Sequence, residues 1–321
     1  MASQALKKSS LRDAEQKKYF FVLPNWVDGL WDGIQGDGPE SLKHYLCENK
    51  IIPHSGVHNL LSSWVLCANL YFPFRHDLDL MGRFLKQTVF PEIAALTGIE
   101  LEYVADSPYD TKTLLGEPRG NRGNYQTSPD IAFIFTTTDG GPGVILTENK
   151  FVEYSFYPCS GRQKKYKNPY PQRCLDINAV LANPLGQCHL LNWREGKREN
   201  RRYWNYTKVD EHGRESLKHC PAAFAGYQLF RQQALAEAFI ESGKFPKVIS
   251  CVAFDGRNET LIGCLKNTGI NRFQEWGTFF GGKSRFSFFT HQQWVQWVGD
   301  NDQNNRWKSW LDYIINRYGL L

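Results

Sequence analysis

Hydrophobic residues recur at helical spacing in three stretches of the chain. Between Val57 and Phe74 they fall at i, i+3 and i+4 positions, and Pro73 ends the pattern, which predicts a first core helix. The stretch Asp79–Leu96 predicts a second helix. The third, Ala222–Ser242, is followed by Gly243, and a glycine commonly terminates a helix. Each stretch is therefore assigned to a helix.

Short runs of β-branched and aromatic residues, separated by Gly, Pro, Asp and Asn, predict strands. They lie at Glu100–Ala105, Pro129–Thr136, Val144–Val152 and Lys247–Phe254. Residues 270–321 are rich in tryptophan and predict helices that pack on the outside, as core or as an interface. The order is helix, strand, strand, strand, helix, strand, which predicts an α/β fold with a mixed central sheet flanked by helices.

Length and composition favour one elaborated domain, because 321 residues with 41% hydrophobic content can bury a substantial core. We expect an N-terminal extension over 1–50, a core over 51–265 with an insertion at 153–220, and a helical C-terminal extension over 266–321. No apolar run is long enough for a membrane span, and the start is polar and lysine-containing. These features predict a soluble, cytoplasmic protein with no membrane partner.

Positive charge is concentrated in the insertion. The formal net charge of the chain is +5, yet between Arg162 and Arg202 ten basic residues face three acidic ones. Tyrosine and tryptophan side chains lie among them, which suits phosphate contacts combined with base stacking. The alternative is a solvated loop packed on its own aromatics. The candidate nucleic-acid-binding residues are Arg162, Lys164, Lys165, Arg198, Arg201 and Arg202.

Four of the eight cysteines also fall in the insertion. In a chain without a secretion signal they are expected to stay reduced. Four soft ligands suit either a structural Zn²⁺ or an iron–sulfur cluster. Their spacing matches no common zinc finger, so scattered buried thiols are the alternative. The four residues are Cys159, Cys174, Cys188 and Cys220.

The predicted hairpin carries the residues that point to chemistry. Pro129 and Asp130 precede the turn at Asp139–Gly143, and Glu148, Asn149 and Lys150 follow it. Antiparallel pairing about a centre near residue 140 puts Asp130 across from 148–150. Because side chains alternate along a strand, Glu148 and Lys150 share one face and Asn149 takes the other. Two carboxylates and an ammonium are therefore expected to converge.

This set suits the hydrolysis of a phosphodiester. The reaction needs charge stabilisation at phosphorus and a nucleophilic water, both of which Mg²⁺ or Mn²⁺ held by oxygen ligands can supply. Asp130, Glu148 and the backbone carbonyl of Asn149 are the candidate metal ligands. Lys150 would orient and help deprotonate the attacking water, or neutralise phosphate charge.

The Pro-Asp and Glu-x-Lys pattern, within this order of elements, resembles the PD-(D/E)xK nuclease superfamily. More narrowly, residues 58–74 and 219–239 resemble bacterial proteins classed as restriction endonucleases of that superfamily. The resemblance covers roughly residues 55–265. It implies a restriction-endonuclease-like αβββαβ core and metal-dependent nucleic acid cleavage of restriction or defence type. DNA is favoured over RNA only through the resemblance, which also leaves a homodimer open.

The resemblance also bears on further residues. Related nucleases often use a glutamine on the third helix, which makes Gln228 an auxiliary catalytic candidate. A solvent-facing polar stripe with Arg231 and Gln232 is the alternative. Many members carry an acidic residue on the first helix, whereas 57–74 has none, so a second metal stays open.

Two other functions remain open. One is a catalytically idle module that binds nucleic acid or recruits a partner, which the intact Asp, Glu and Lys set argues against. The other is a metal-dependent enzyme acting on small phosphoesters, which would have no need of the basic, aromatic insertion. Magnesium-dependent cleavage of a plasmid distinguishes all three.

Overall fold

A computed structural model describes residues 21–123, 126–163, 168–191 and 201–321. Its strands are β1 (Ile93–Leu101), β2 (Ile131–Thr137), β3 (Pro142–Lys150), β4 (Lys208–Val209), β5 (Lys247–Phe254), β6 (Phe280–Gly281) and β7 (Arg285–Thr290). Five of them form one sheet in the order β1-β2-β3-β5-β7, and β4 pairs with β6 separately. The pairs β1–β2 and β2–β3 are antiparallel, and β3–β5 and β5–β7 are parallel. The predicted mixed sheet is confirmed.

Helices cover both faces of this sheet. They are α1 (Leu42–Glu48), α2 (Ser63–Tyr71), α3 (Leu78–Thr88), α4 (Thr111–Leu115), α5 (Ile177–Ala182), α6 (Pro184–Gln187), α7 (Tyr203–Tyr206), α8 (Glu211–Ser216), α9 (Tyr227–Glu241), α10 (Glu259–Ile262), α11 (His291–Asn301) and α12 (Lys308–Tyr318). Because side chains alternate along each strand, successive residues pack into two hydrophobic cores, one on each face of the sheet. In β3, Val144 and Leu146 join the core under α9, while Ile145 joins the core under α2, α3, α11 and α12. Within the described ranges, none of these helices has the length and apolar character needed to cross a membrane.

The hairpin of β2 and β3 has the predicted register. Ile131 lies opposite Thr147, and Ile134 lies opposite Val144. The turn between the strands includes Gly140 at φ +84°, a left-handed conformation that glycine adopts without a side-chain clash. Continued by one residue, this register brings Asp130 across from Glu148.

The predicted second helix is wrong beyond residue 88. Helix α3 ends at Thr88, and the chain enters β1 at Ile93. Pro91 cannot donate the backbone hydrogen bond that would continue the helix. The segment Ile93–Leu101 pairs along β2 instead, so the strand predicted at 100–105 begins earlier and ends at Leu101.

The other two predicted helices exist but start later. Helix α2 begins after Ser62, whose side chain accepts a hydrogen bond from the Val65 N–H and so caps the helix. Helix α9 begins at Tyr227 rather than at residue 222. Both differences concern the first turns, where the apolar pattern of the sequence begins before the helix itself.

The C-terminal region is more than a set of external helices. Residues 285–290 form β7, which extends the central sheet beside β5. The tryptophans that follow and precede it belong to the interior, because Trp276, Trp294 and Trp310 are all fully buried. The prediction of helices alone over 270–321 was therefore wrong at this strand.

Candidate active site

Asp130, Glu148 and Lys150 meet at the end of the β2–β3 hairpin. Asp130 Oδ2 accepts a hydrogen bond of 2.7 Å from the backbone N–H of Asn149. Lys150 Nζ forms a buried ion pair with Glu148 Oε1 at 2.8 Å. The Asn149 side chain points the other way and donates to the Ser63 carbonyl at 2.8 Å. The hairpin therefore brings the three predicted side chains together.

Gln228 reaches the same cluster from the first turn of α9. Its Nε2 donates to Glu148 Oε1 at 2.6 Å, so both Lys150 and Gln228 use that oxygen and leave Oε2 to other ligands. The Oε1 of Gln228 is buried, and no hydrogen-bond partner for it lies among the described residues. A buried acceptor of this kind is satisfied by a bound donor such as a water.

The polar residues of α9 do not form a solvent-facing stripe. Gln232 is buried and donates to Ser250 Oγ and to the Cys251 carbonyl, both at 3.0 Å. Arg231 donates to Thr127 Oγ1 at 2.8 Å and pairs with Glu117 at 3.4 Å. The helix therefore offers Gln228 to the site, while Gln232 fixes it to β5 and Arg231 fixes it to the segment that precedes β2.

A third carboxylate, Glu102, stands beside Asp130 and was missed from the sequence. It follows β1 at φ +48° and is buried. Its backbone N–H donates to the Asp130 carbonyl at 2.9 Å, and its Oε1 accepts from Trp64 Nε1 at 3.0 Å. Helix α2, which corresponds to the predicted first core helix, has no acidic residue of its own but contributes the Trp64 indole that holds Glu102.

The three carboxylates crowd one another electrostatically. Loss of hydration, then Glu148 and Glu102, raise the pKa of Asp130 well above its usual range. Burial and the charge of Glu148 raise the pKa of Glu102 to about 7. Such crowding is relieved by a bound cation or by a proton.

Lys150 is held as a cation. Its burial opposes the charge, but Glu148, Glu153 and Asp130 together outweigh that effect and raise the pKa of Lys150 above its ordinary value. A lysine with a raised pKa is a poor base at neutral pH. Of the two predicted roles, the electrostatics favour neutralising charge over accepting a proton.

The donor set fits a divalent metal ion. Asp130 and Glu148 offer hard oxygens, and the Asn149 carbonyl faces the same strand edge as its N–H, which contacts Asp130. Across the described part of the chain, no three His, Cys, Asp or Glu side chains are grouped to hold a metal ion. A metal ion bound here would therefore take two carboxylates and a main-chain carbonyl from the protein, with water or phosphate oxygens as its other ligands.

His291 fixes the backbone of Lys150 from the far end of the chain. Its Nε2 donates to the Lys150 carbonyl at 2.9 Å, and its Nδ1 accepts from the Tyr71 hydroxyl at 3.0 Å. Burial lowers the pKa of His291 to about 4, so the ring is neutral. No local signal reveals this contact, since 141 positions separate the two residues.

A pocket beside the site lies next to a larger basic groove. The pocket is lined by Glu148, Gln228, Arg231 and Gln232 and by residues 126–129. Gln126 also lines the adjoining groove. The groove walls carry more basic than acidic residues. The acidic ones are Asp106 and Asp110, and the basic ones are Lys50, Lys112, Arg119, Arg122 and Arg202.

The predicted basic residues of the insertion are only partly in this groove. Arg202 lines it and donates to the Thr113 carbonyl at 2.8 Å, while Arg201 donates to the Gly116 carbonyl at 2.6 Å. Arg162 lies over the Phe224 ring, 4.2 Å from its centre. Lys164, Lys165 and Arg198 lie outside the described residues, so their predicted contact with nucleic acid stays a prediction.

The four cysteines of the insertion line one cavity. They arrive from separate segments of the chain, and the Cys220 N–H donates to the Cys174 carbonyl at 2.9 Å. The other cysteines, Cys47, Cys67, Cys251 and Cys264, are not part of its wall.

Comparison with known families places almost the whole chain in one family. A family model described as Restriction Endonuclease associating with ARP matches residues 21–319. The chain belongs to this family. The match includes the hairpin, α9 and β7, and the family description indicates a nuclease of restriction or defence type that acts on nucleic acid. No curated protein and no solved structure matches the chain.

Proposed function

We propose that this family member is a divalent-metal-dependent endonuclease with a restriction-endonuclease-like core, and that DNA is its substrate. The observation that carries the proposal is the convergence of Asp130, Glu148 and Lys150 at the end of one hairpin. Family membership supports the class of reaction. The order α3, β1, β2, β3, α9, β5 supports the fold.

Each residue has a distinct part in this proposal. Asp130, Glu148 and the Asn149 carbonyl would hold Mg²⁺ or Mn²⁺, which when bound polarises phosphate and activates water. Lys150, kept protonated by the carboxylates around it, stabilises negative charge as it develops on the phosphate. Gln228 holds the Glu148 carboxylate in place, and its free Oε1 accepts a hydrogen bond from the attacking water.

The basic groove supports a polyanionic substrate. Its five cationic side chains outnumber its two acidic ones, and it adjoins the Glu148 pocket at Gln126. A groove that tracks a phosphate backbone gains affinity from counterion release. An enzyme acting on small phosphoesters would gain little from an extended basic wall of this kind.

The test is cleavage of supercoiled, linear and single-stranded DNA, and of RNA, with and without Mg²⁺. We expect Mg²⁺-dependent cleavage of DNA that Asp130→Asn and Glu148→Gln abolish without loss of binding. Asp139→Asn, in the exposed hairpin turn, serves as the matched control. Ca²⁺, which is larger and less polarising, should support binding with little cutting.

Two results would contradict the proposal. Cleavage by Asp130→Asn at the wild-type rate would exclude this carboxylate from the mechanism. Binding of DNA without cleavage under any of these conditions would indicate an idle binding module.

A further inference from the structure

Four cysteines surround a cavity that is otherwise apolar. Cys159, Cys174, Cys188 and Cys220 share this wall with aliphatic and aromatic side chains. They come from four separate segments of the chain. Helices α5 and α6 and several loops lie between these segments in the sequence. Half of the cysteines in the chain therefore gather at one place. The remaining wall residues are Val180, Leu190, Tyr203, Trp204, Ala222, Tyr227 and Phe230.

Backbone N–H groups next to three of the four cysteines counteract the effect of burial. Burial raises the pKa of the Cys159 thiol, and the N–H groups of Gly161 and Arg162 lower it. The N–H groups of Leu190 and Leu191 lower the pKa of Cys188 in the same way, and that of Ala222 lowers the pKa of Cys220. In every case the donor lies two or three residues after the cysteine. Donors in this arrangement stabilise a thiolate more than a neutral thiol, because hydrogen bonds to an ionised acceptor are stronger.

Among the described residues, no cationic side chain lines the cavity. Burial, and then the neighbouring thiols Cys174, Cys159 and Cys188, raise the pKa of Cys220 well above its usual range. The charge of Arg162 lowers the pKa of Cys174. Backbone donors that favour thiolates are unexpected inside an apolar cavity. A bound inorganic centre would explain them, because its positive charge would stabilise the thiolates.

A single metal ion and a metal cluster require different distances between their four sulfur ligands. Tetrahedral Zn–S bonds of about 2.3 Å place the four sulfurs only about 3.8 Å apart. In the described ranges, no three His, Cys, Asp or Glu side chains are grouped closely enough for one ion. An iron–sulfur cluster is several atoms across and keeps its thiolate ligands further apart.

We propose that Cys159, Cys174, Cys188 and Cys220 ligate an iron–sulfur cluster. Its place in the fold indicates a structural role. Cys220 lies shortly before α9, the helix whose Gln228 contacts Glu148, and the other three cysteines share the cavity wall with Tyr227 and Phe230 of that helix. The cluster would fix the insertion and the start of α9 as one unit, whether or not the chain cleaves DNA.

The test uses the full chain, produced with added iron and purified without oxygen. We expect stoichiometric iron and acid-labile sulfide, together with visible absorbance from sulfur-to-iron charge transfer. Cys174→Ser and Cys220→Ser should each lose the iron, the sulfide and the absorbance. Cys251→Ala, a buried cysteine of β5, and Cys47→Ser, an exposed one, should keep all three.

A second measurement covers variants that fail to fold. Wild-type protein stripped with chelator and oxidant should unfold at a lower temperature and recover its absorbance when Fe²⁺ and sulfide are returned anaerobically. Stoichiometric zinc in place of iron would overturn the cluster. So would metal-free protein that takes up no iron, or iron that survives the combined Cys174→Ser and Cys220→Ser substitution.

Discussion

Gln228 and Glu148, 80 positions apart, are joined by a hydrogen bond of 2.6 Å from Nε2 to Oε1. It links α9 to the hairpin at the point where the chemistry is proposed. Gln228→Ala should lower the cleavage rate by about 10- to 100-fold, the usual effect of losing a residue that orients a metal ligand. Its unfolding temperature should change little, because Gln228 is only half-buried.

Gln232→Ala is the matched control on the same helix. Gln232 lines the same pocket but bonds to Ser250 and Cys251 in β5 and not to Glu148, so its removal should lower the unfolding temperature more than the rate per folded molecule. Rates measured at saturating Mg²⁺, beside thermal melts, separate the two effects. Equal rate losses in both variants would show that Gln228 has no specific role in orienting Glu148.

Glu102 should tune the affinity of the site for metal. Glu102→Gln removes a buried negative charge that acts on Asp130, so half-maximal cleavage should need about 10-fold more Mg²⁺, as for other residues supporting a metal site. Glu100→Gln, on β1 and paired with Arg122, is the control. An unchanged Mg²⁺ dependence would leave Glu102 a purely structural acid.

The same substitution has a predictable effect on stability. The pKa of Glu102 in the folded protein, about 7, lies above its ordinary value of 4.5. Its contribution to stability is therefore complete below about pH 4.5 and is lost as the pH rises through 7. Glu102→Gln should flatten that decline, which denaturant melts across this range would show.

Lys150 should act through its charge. Lys150→Ala is expected to lower the rate by about 100- to 1,000-fold, as loss of a transition-state charge stabiliser does. Lys150→Arg should retain more activity, because it restores a cation beside Glu148. If instead Lys150→Arg were as inactive as Lys150→Ala, and the wild-type rate rose steeply with the ionisation of a lysine, Lys150 would be the base.

The groove should set the salt dependence of DNA binding. Replacing Lys112 and Arg119 together with alanine should weaken binding in Ca²⁺ and reduce the slope of log affinity against log salt by about 2. Lys86 and Lys308, which line neither the groove nor the pocket, provide the control pair. An unchanged slope would place the DNA elsewhere.

His291 should make the fold sensitive to acid. Its pKa in the folded protein, about 4, lies below the ordinary 6.5, so its contribution to stability is present above about pH 6.5 and is lost as the pH falls toward 4. The difference in unfolding free energy between the wild type and His291→Gln should shrink by about 2 kcal/mol between about pH 7 and pH 4.5. A constant difference would show that His291 is not buried as a neutral ring.

The hairpin could be predicted because its information is local. The glycine-rich turn at residues 139–143 fixes the centre of pairing, and the alternation of side chains then places Asp130, Glu148 and Lys150 together. Gln228 could be proposed only by resemblance, because nothing in its own helix indicates which residue it meets across the fold.

Glu102 and β7 could not be predicted in this way. Glu102 reaches the site only because β1 pairs with β2, and the Ala-Ala-Leu run inside β1 favours a helix by intrinsic propensity. β7 is a short strand beside helical, tryptophan-rich sequence, and its pairing partner β5 lies far away in the chain. In both places tertiary pairing overrides the local pattern.

The hydrogen bond from His291 to the Lys150 carbonyl determines when, during synthesis, the site can be completed. Chains emerge from the ribosome amino end first, so Asp130, Glu148 and Lys150 are outside well before β7 and His291. Until translation passes residue 291, the sheet lacks its edge strand and the end of β3 lacks this anchor. The site is therefore assembled only late in synthesis, after β7 and His291 have joined the rest of the fold.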